Sequence, residues 1–182
     1  MVSPIRYIVF LRGINVGGNA IVKMSELTEA FSSLGFENVK TYINSGNVLF
    51  DTSETDEKKL IALIEKQLAK RFGRELKILL RTQKKIQEFI EENPFEKFDL
   101  TDKSLYFIVS FLSEMPQHDI TLPYSDDELG FEIAALTDRE IFLVLDREKL
   151  AKTGNAMKFI GKAFPVLSTT RTWKVITKLT SL

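Results

Sequence analysis

Two short stretches gather most of the residues able to do chemistry. Residues 10 to 22 read FLRGINVGGNAIV and bring together Arg12, Asn15, Gly17 and Gly18, with Lys23 directly after them. Residues 41 to 50 read TYINSGNVLF and supply Asn44, Ser45 and Asn47. Consecutive N–H groups in a glycine turn form a concavity for anions, and an arginine can fork onto a phosphate or carboxylate. These eight residues are the candidate ligand site, with Arg12 and Lys23 carrying charge and Asn44 and Asn47 orienting the rest of the ligand. The same residues also fit a plainer role. Glycines permit a tight path over a sheet end, which Ile14, Val16, Ile21 and Val22 would plug, and Asn and Gly are common in hairpin turns because they tolerate positive φ.

Known phosphate loops are excluded. Gly13 and Gly18 have the spacing of G-x-x-x-x-G-K-[ST], but Asn19 and Ala20 stand where lysine and a hydroxyl residue are required. No G-x-G-x-x-G occurs, so a dinucleotide fingerprint is absent. The chain has no cysteine, which removes thiol catalysis and thiolate metal sites, and the lone His118 cannot build a zinc centre from protein nitrogen and sulfur ligands alone. No metal or cofactor is called for. No catalytic residue can be assigned, and a reaction at this site would need Lys23, Tyr42 or a carboxylate.

Twenty-five basic residues balance twenty-five acidic ones over 182 positions, so no overall field gathers nucleic acid or membrane. With 44% hydrophobic residues the chain can bury a substantial core. The N-terminal apolar run is broken by Arg6 and Arg12, too short for a signal peptide or a membrane span, and a cytoplasmic location is expected.

The elements that position the two stretches follow from periodicity. IRYIVFL (5–11) is a buried strand, and a helix capped by Ser25 carries Leu27, Ala30, Phe31 and Leu34 to a stop at Gly35. A hairpin with Ser45-Gly46 at its tip joins strands at 39–43 and 48–50; a second amphipathic helix ends at Gly73, and a fourth strand covers 76–80. Strand, helix, strand, strand, helix, strand is the split-βαβ, ferredoxin-like pattern, with an expected strand order of four, one, three, two. Its first and second strands run the same way, which places the glycine loop beside the Asn44–Asn47 turn.

After a connecting helix from near Thr82 to before Pro94, strands are expected at 105–112, 130–136 and 140–145. A helix through Met157, Ile160 and Phe164 follows, then a short strand at 165–168. Two prolines in 113–129 argue against a crossover helix there. The fold class is therefore α+β: a ferredoxin-like domain over 1–81, then a connecting helix, a second plait-like domain and a C-terminal helix over 82–182, both sheets mainly antiparallel. On that last helix, read from about 171, Arg171, Lys174 and Lys178 fall on one face opposite Val175, Ile176, Leu179 and Leu182. Trp173 flanks the apolar stripe as an anchor, while His118 and the run Asp126-Asp127-Glu128 read as surface residues.

LRGINVGG, TYINSGNVLF and TRTWKVITKL, in this order, resemble the motifs of domain-of-unknown-function family 1697, a bacterial family. That resemblance covers nearly the whole chain and implies tandem α/β plaits, with no established activity to carry over. The family's last motif usually reads Arg-Asn-Trp-Asn-Thr-Val; Thr172 and Lys174 replace the asparagines here, so no role of those amides transfers.

Four functions compete. The best-matched is binding of a small phosphate- or carboxylate-bearing anion at the glycine-loop end of the first domain. The others are RNA binding through Arg171, Lys174 and Lys178, an enzyme at the same glycine-loop site, and a purely structural or interaction protein. The RNP1 pattern is missing from NSGNVLF, which weighs against the RNA reading. Oligomeric state is not encoded in any motif.

Overall fold

A computed structural model describes residues 3–15 and 21–182, apart from the side chains of 150–153. The described residues form an α+β structure with two antiparallel sheets and five α-helices. None of these helices is long and apolar enough to cross a membrane. Contacts divide the chain into one unit of Met1–Glu88 with Leu179–Leu182 and another of Phe89–Lys178. The change of unit thus falls inside the connecting helix, where the sequence placed it at 81–82, and residues 179–182 return to the first unit.

In the first unit, β1 (Ile5–Leu11), α1 (Met24–Ser32), β2 (Glu37–Tyr42), β3 (Asn47–Thr52), α2 (Glu57–Phe72) and β4 (Ile78–Thr82) follow in turn. The sheet order is β2-β3-β1-β4, the order expected. Alternation along the strands sends Tyr7, Val9, Leu11, Val48, Phe50, Ile78 and Leu80 toward Leu27, Phe31, Leu60, Ile64 and Leu68 of the two helices. Tyr7, Phe31, Phe36 and Phe50 make the aromatic centre of that core. Ile8, Phe10, Leu49, Leu79 and Arg81 alternate to the other face and are buried as well.

Helix boundaries are set by local chemistry. Asp56 caps α2 by accepting from Lys59 N–H at 3.1 Å, and Gly73 ends it with φ +66°. α1 differs from expectation. It begins at Met24, its N-cap is Lys23, and no side chain caps it, so Ser25 lies inside the first turn.

The second unit carries β5 (Leu105–Leu112), β6 (Tyr124–Asp126), β7 (Phe131–Leu136), β8 (Glu140–Asp146), α4 (Thr153–Ala163), β9 (Ser168–Thr172) and α5 (Trp173–Leu179), with the connecting helix α3 (Gln83–Glu92) leading into it. Its sheet order is β6-β7-β8-β5-β9. No helix lies between β5 and β7, as the prolines require; the short β6 instead adds a fifth strand. Ile108, Leu112, Ile133, Ile141, Leu143 and Leu145 pack on Ala156, Ile160 and Phe164 of α4 and the residue after it. On the opposite face, Phe95 stands edge-on to Phe107, Phe142 and Trp173 at centroid distances of 5.1, 5.9 and 5.2 Å.

The last strand was misplaced by sequence. It covers Ser168–Thr172 rather than 165–168, and α5 starts at Trp173 rather than near 171. A repeated strand-to-helix corner accounts for this. Arg81-Thr82-Gln83 and Arg171-Thr172-Trp173 end β4 and β9, and each arginine is buried and donates from Nη1 to the carbonyl just before it, at 2.7 and 2.8 Å. Each threonine then caps the next helix, Oγ1 accepting from Lys85 N–H at 3.1 Å and from Val175 N–H at 3.2 Å. The β-branched run before Arg171 belongs to a strand, and Thr172 supplies the N-cap that sequence periodicity alone could not place.

Candidate functional site

Parallel travel of β1 and β2 brings the glycine loop and the β2–β3 hairpin to one end of the first sheet. Leu11 N–H donates to the Gly46 carbonyl at 2.8 Å, and Arg12 N–H to the Lys77 carbonyl at 2.9 Å. Asn15 makes the tie between the two loops. With φ at +56°, it accepts from Val22 N–H at 2.8 Å and donates to the carbonyls of Val22 at 3.1 Å and Asn44 at 2.9 Å. Its side chain therefore closes the glycine loop at both ends of the segment 16–20, which holds Gly17 and Gly18 and lies outside the described residues.

The hairpin is wider than a two-residue turn. Tyr42 pairs with Asn47, leaving four connecting residues, with positive φ at Ile43 (+50°) and Gly46 (+76°). A β-branched residue seldom takes that conformation, so the turn must be held from elsewhere. Asn47 holds it. Fully buried, it donates from Nδ2 to the Tyr42 carbonyl at 2.9 Å and to Ser45 Oγ at 3.0 Å. Both Asn47 and Ser45 are thereby committed to the turn, and Asn44 is the member of the trio that lines open space. Gly46 is dictated by packing, since a Cβ there would stand 2.6 Å from Ile14 Cδ1 and 2.9 Å from Leu11 Cβ.

An open concavity of about 750 Å³ lies between these loops and the start of α1, lined by Asn15, Ile21, Val22, Lys23, Met24, Ser25 and Asn44. The first helical bond runs from Leu27 N–H to the Lys23 carbonyl at 3.0 Å, so the N–H groups of Met24, Ser25 and Glu26 precede it. Lys23 is exposed at this end, and so is Arg12, although Arg12 does not line the concavity. The strand alternation explains the arginine's position: Leu11 faces the helices, and Arg12 falls to the other side. Ile21, Val22, Met24 and Ser25 line the concavity but were not among the candidate ligand residues read from the sequence. The helix start was the missing signal.

The basic face read onto the last helix does not form as expected. Arg171 lies in β9, 7% exposed, with Nη1 donating to Thr169 Oγ1 at 2.9 Å and to the Thr170 carbonyl; burial pushes its guanidinium down to about 10. Lys174 and Lys178 alone are exposed on α5. His118 also departs from a plain surface role, its ring 5.0 Å from that of Phe164 and its Nδ1 buried without a hydrogen-bond partner among the described residues.

Comparison with solved structures finds a conserved bacterial protein from Streptococcus pneumoniae, SP0830, at 25% identity and a TM-score of 0.69, covering 98% of each chain. Comparison with curated proteins gives no match. The model of a protein family of unknown function matches residues 5–142, including the glycine loop, the hairpin and the strands of both sheets up to β8. The chain belongs to that family, domain-of-unknown-function family 1697.

Proposed function

We propose that the protein binds a small anion bearing a phosphate or carboxylate at the glycine-loop end of the first unit, on a pair of ferredoxin-like plaits. One observation carries this reading: α1 opens onto the concavity through an N-terminus with no side-chain cap, beside Lys23, Asn15 and Asn44. N–H groups without intrahelical acceptors and the positive end of the helix dipole favour an anion at that point. Lys23 adds a full charge, Asn44 a polar side chain, and Ile21, Val22 and Met24 an apolar wall that strengthens charge-assisted contacts by excluding water. Arg12 acts at longer range, raising the local potential at the rim. Gly17 and Gly18, read from the sequence as further backbone donors, lie outside the described residues.

The RNA reading rested on three cations along one helix face, and the burial of Arg171 leaves it two lysines. A thermal-shift screen with inorganic phosphate, sugar phosphates and organic acids tests the small-anion reading. A ligand at a hundred times its dissociation constant adds about 2.7 kcal/mol of stability. Lys23→Ala should abolish that gain while leaving unliganded melting near the parent value. An unchanged gain in Lys23→Ala would place the anion elsewhere.

A further inference from the structure

The repeated Arg-Thr corner is filled in one unit and open in the other. After β4, Gln83 donates from Nε2 to the carbonyls of Leu179 and Thr180, both at 3.3 Å. Trp173 stands at the matching position after β9 and lines a concavity of about 620 Å³ within the second unit. Its apolar wall includes Leu100, Leu105 and Tyr106. Its charged side chains are Lys103, Arg147 and Lys174 against a single acid, Asp102.

Two features make this more than a solvated basic surface. Asp102 is engaged by its own loop, Oδ1 accepting from Ser104 N–H at 2.7 Å and from Ser104 Oγ at 2.6 Å, and among the described residues it forms no ion pair with the three cations. Arg147, an exposed residue, is oriented by two contacts: its guanidinium carbon lies 5.2 Å from the Tyr106 ring centroid, and Nε donates to the Leu105 carbonyl at 3.0 Å. Stacking and one hydrogen bond leave the Nη1 and Nη2 groups without an acidic partner among the described residues. A guanidinium oriented in this way and not neutralised is arranged to receive an oxyanion. A mixed apolar and cationic concavity of this volume suits a small molecule better than a bare ion.

We propose that this corner of the second unit is a binding site for a small molecule with an aromatic body and a phosphate or carboxylate group. The anionic group meets Arg147, Lys103 and Lys174, and the ring lies along Leu100, Tyr106 and the exposed edge of Trp173. This site is separate from the glycine-loop concavity and stands or falls independently of it.

Trp173 is the chain's single tryptophan, so its emission reports on this corner alone. The test titrates the full chain with phenyl phosphate, with inorganic phosphate, phenol and a short single-stranded RNA as parallel probes. The expected result is a saturable change in Trp173 emission with phenyl phosphate, at least tenfold tighter than with phosphate or phenol alone. Arg147→Ala should weaken it about tenfold or more, the scale of one lost hydrogen bond to a charged group, and Arg147→Lys should fall between. Lys23→Ala should leave the titration unchanged. Should Arg147→Ala fail to fold, Arg147→Lys and Lys174→Ala carry the same comparison. The proposal is overturned by no saturable change into the millimolar range, by equal binding in the Arg147 variants, by inorganic phosphate binding as tightly as phenyl phosphate, or by a response to RNA alone.

Discussion

Asn15 Nδ2 lies 2.9 Å from the Asn44 carbonyl oxygen, joining the glycine loop to the hairpin across 29 residues of sequence. One side chain thereby ties both walls of the first concavity. Asn15→Gly removes its three hydrogen bonds and keeps the positive φ at no steric cost, so the loss should be about 1–3 kcal/mol by urea unfolding. Asn15→Ala should cost a further ~1 kcal/mol, because alanine must enter the left-handed region. Equal losses in the two variants would show that the loop relaxes to another backbone conformation.

Gly46→Ala tests the contact beneath the same rim. A methyl group 2.6 Å from Ile14 Cδ1, on a residue with φ +76°, combines left-handed strain with overpacking. The expected loss is about 2–4 kcal/mol. A loss below ~1 kcal/mol would mean that Ile14 swings aside freely, and Ile14→Val should then leave stability nearly unchanged.

Trp173→Ala should destabilise the second unit by roughly 3 kcal/mol, the usual scale for emptying a buried aromatic site. Its ring stands edge-on to Phe95 at 5.2 Å and Phe142 at 6.2 Å, and only 8% of the residue is exposed. Chemical denaturation followed by circular dichroism measures the loss. Unchanged unfolding would remove Trp173 from the core.

Much of this was legible in the sequence, for reasons that differ by element. IRYIVFL is apolar on both faces and could be little other than a central strand, and Gly73 marks the end of α2 because a left-handed cap favours glycine. The meeting of the two loops followed from strand direction alone. What sequence could not supply was the choice between donor and acceptor roles for amides. Asn15, Asn44 and Asn47 look alike as letters, yet one bridges loops through its side chain, one lines the concavity and one is sealed inside the turn. Lys23 as an uncapped helix start was hidden by Ser25, a better cap by preference that the chain does not use. Arg171 was misread because Thr-Thr-Arg-Thr has a strand's composition but sits against a helical period that begins two residues later.

Arg171 also gives a pH test. Its folded pKa, lowered to about 10 by burial, lies below the unfolded value, so above about pH 10 the unfolded chain holds the extra proton. Stability relative to Arg171→Met should be flat from pH 5 to 9 and rise above pH 10. At neutral pH, Arg171→Ala should cost about 3 kcal/mol or more, since it empties a buried site and strands its hydrogen-bond partners. A change below about 0.5 kcal/mol is what a solvent-facing arginine would give.

The return of residues 179–182 to the first unit sets an order of events during synthesis. A ribosome delivers roughly 5–20 residues per second, so the stretch from Glu88 to Leu179 takes several seconds to emerge. Sheets of this mixed kind close within milliseconds to about a second. The first sheet therefore assembles and then waits. During that interval Gln83 has no Leu179 or Thr180 carbonyl to bind, and Lys40 lacks the Leu182 carbonyl it later meets at 2.8 Å. The nascent first unit stays open at the β4 corner until residues 179–182 have emerged, and that segment acts as the latch that closes it.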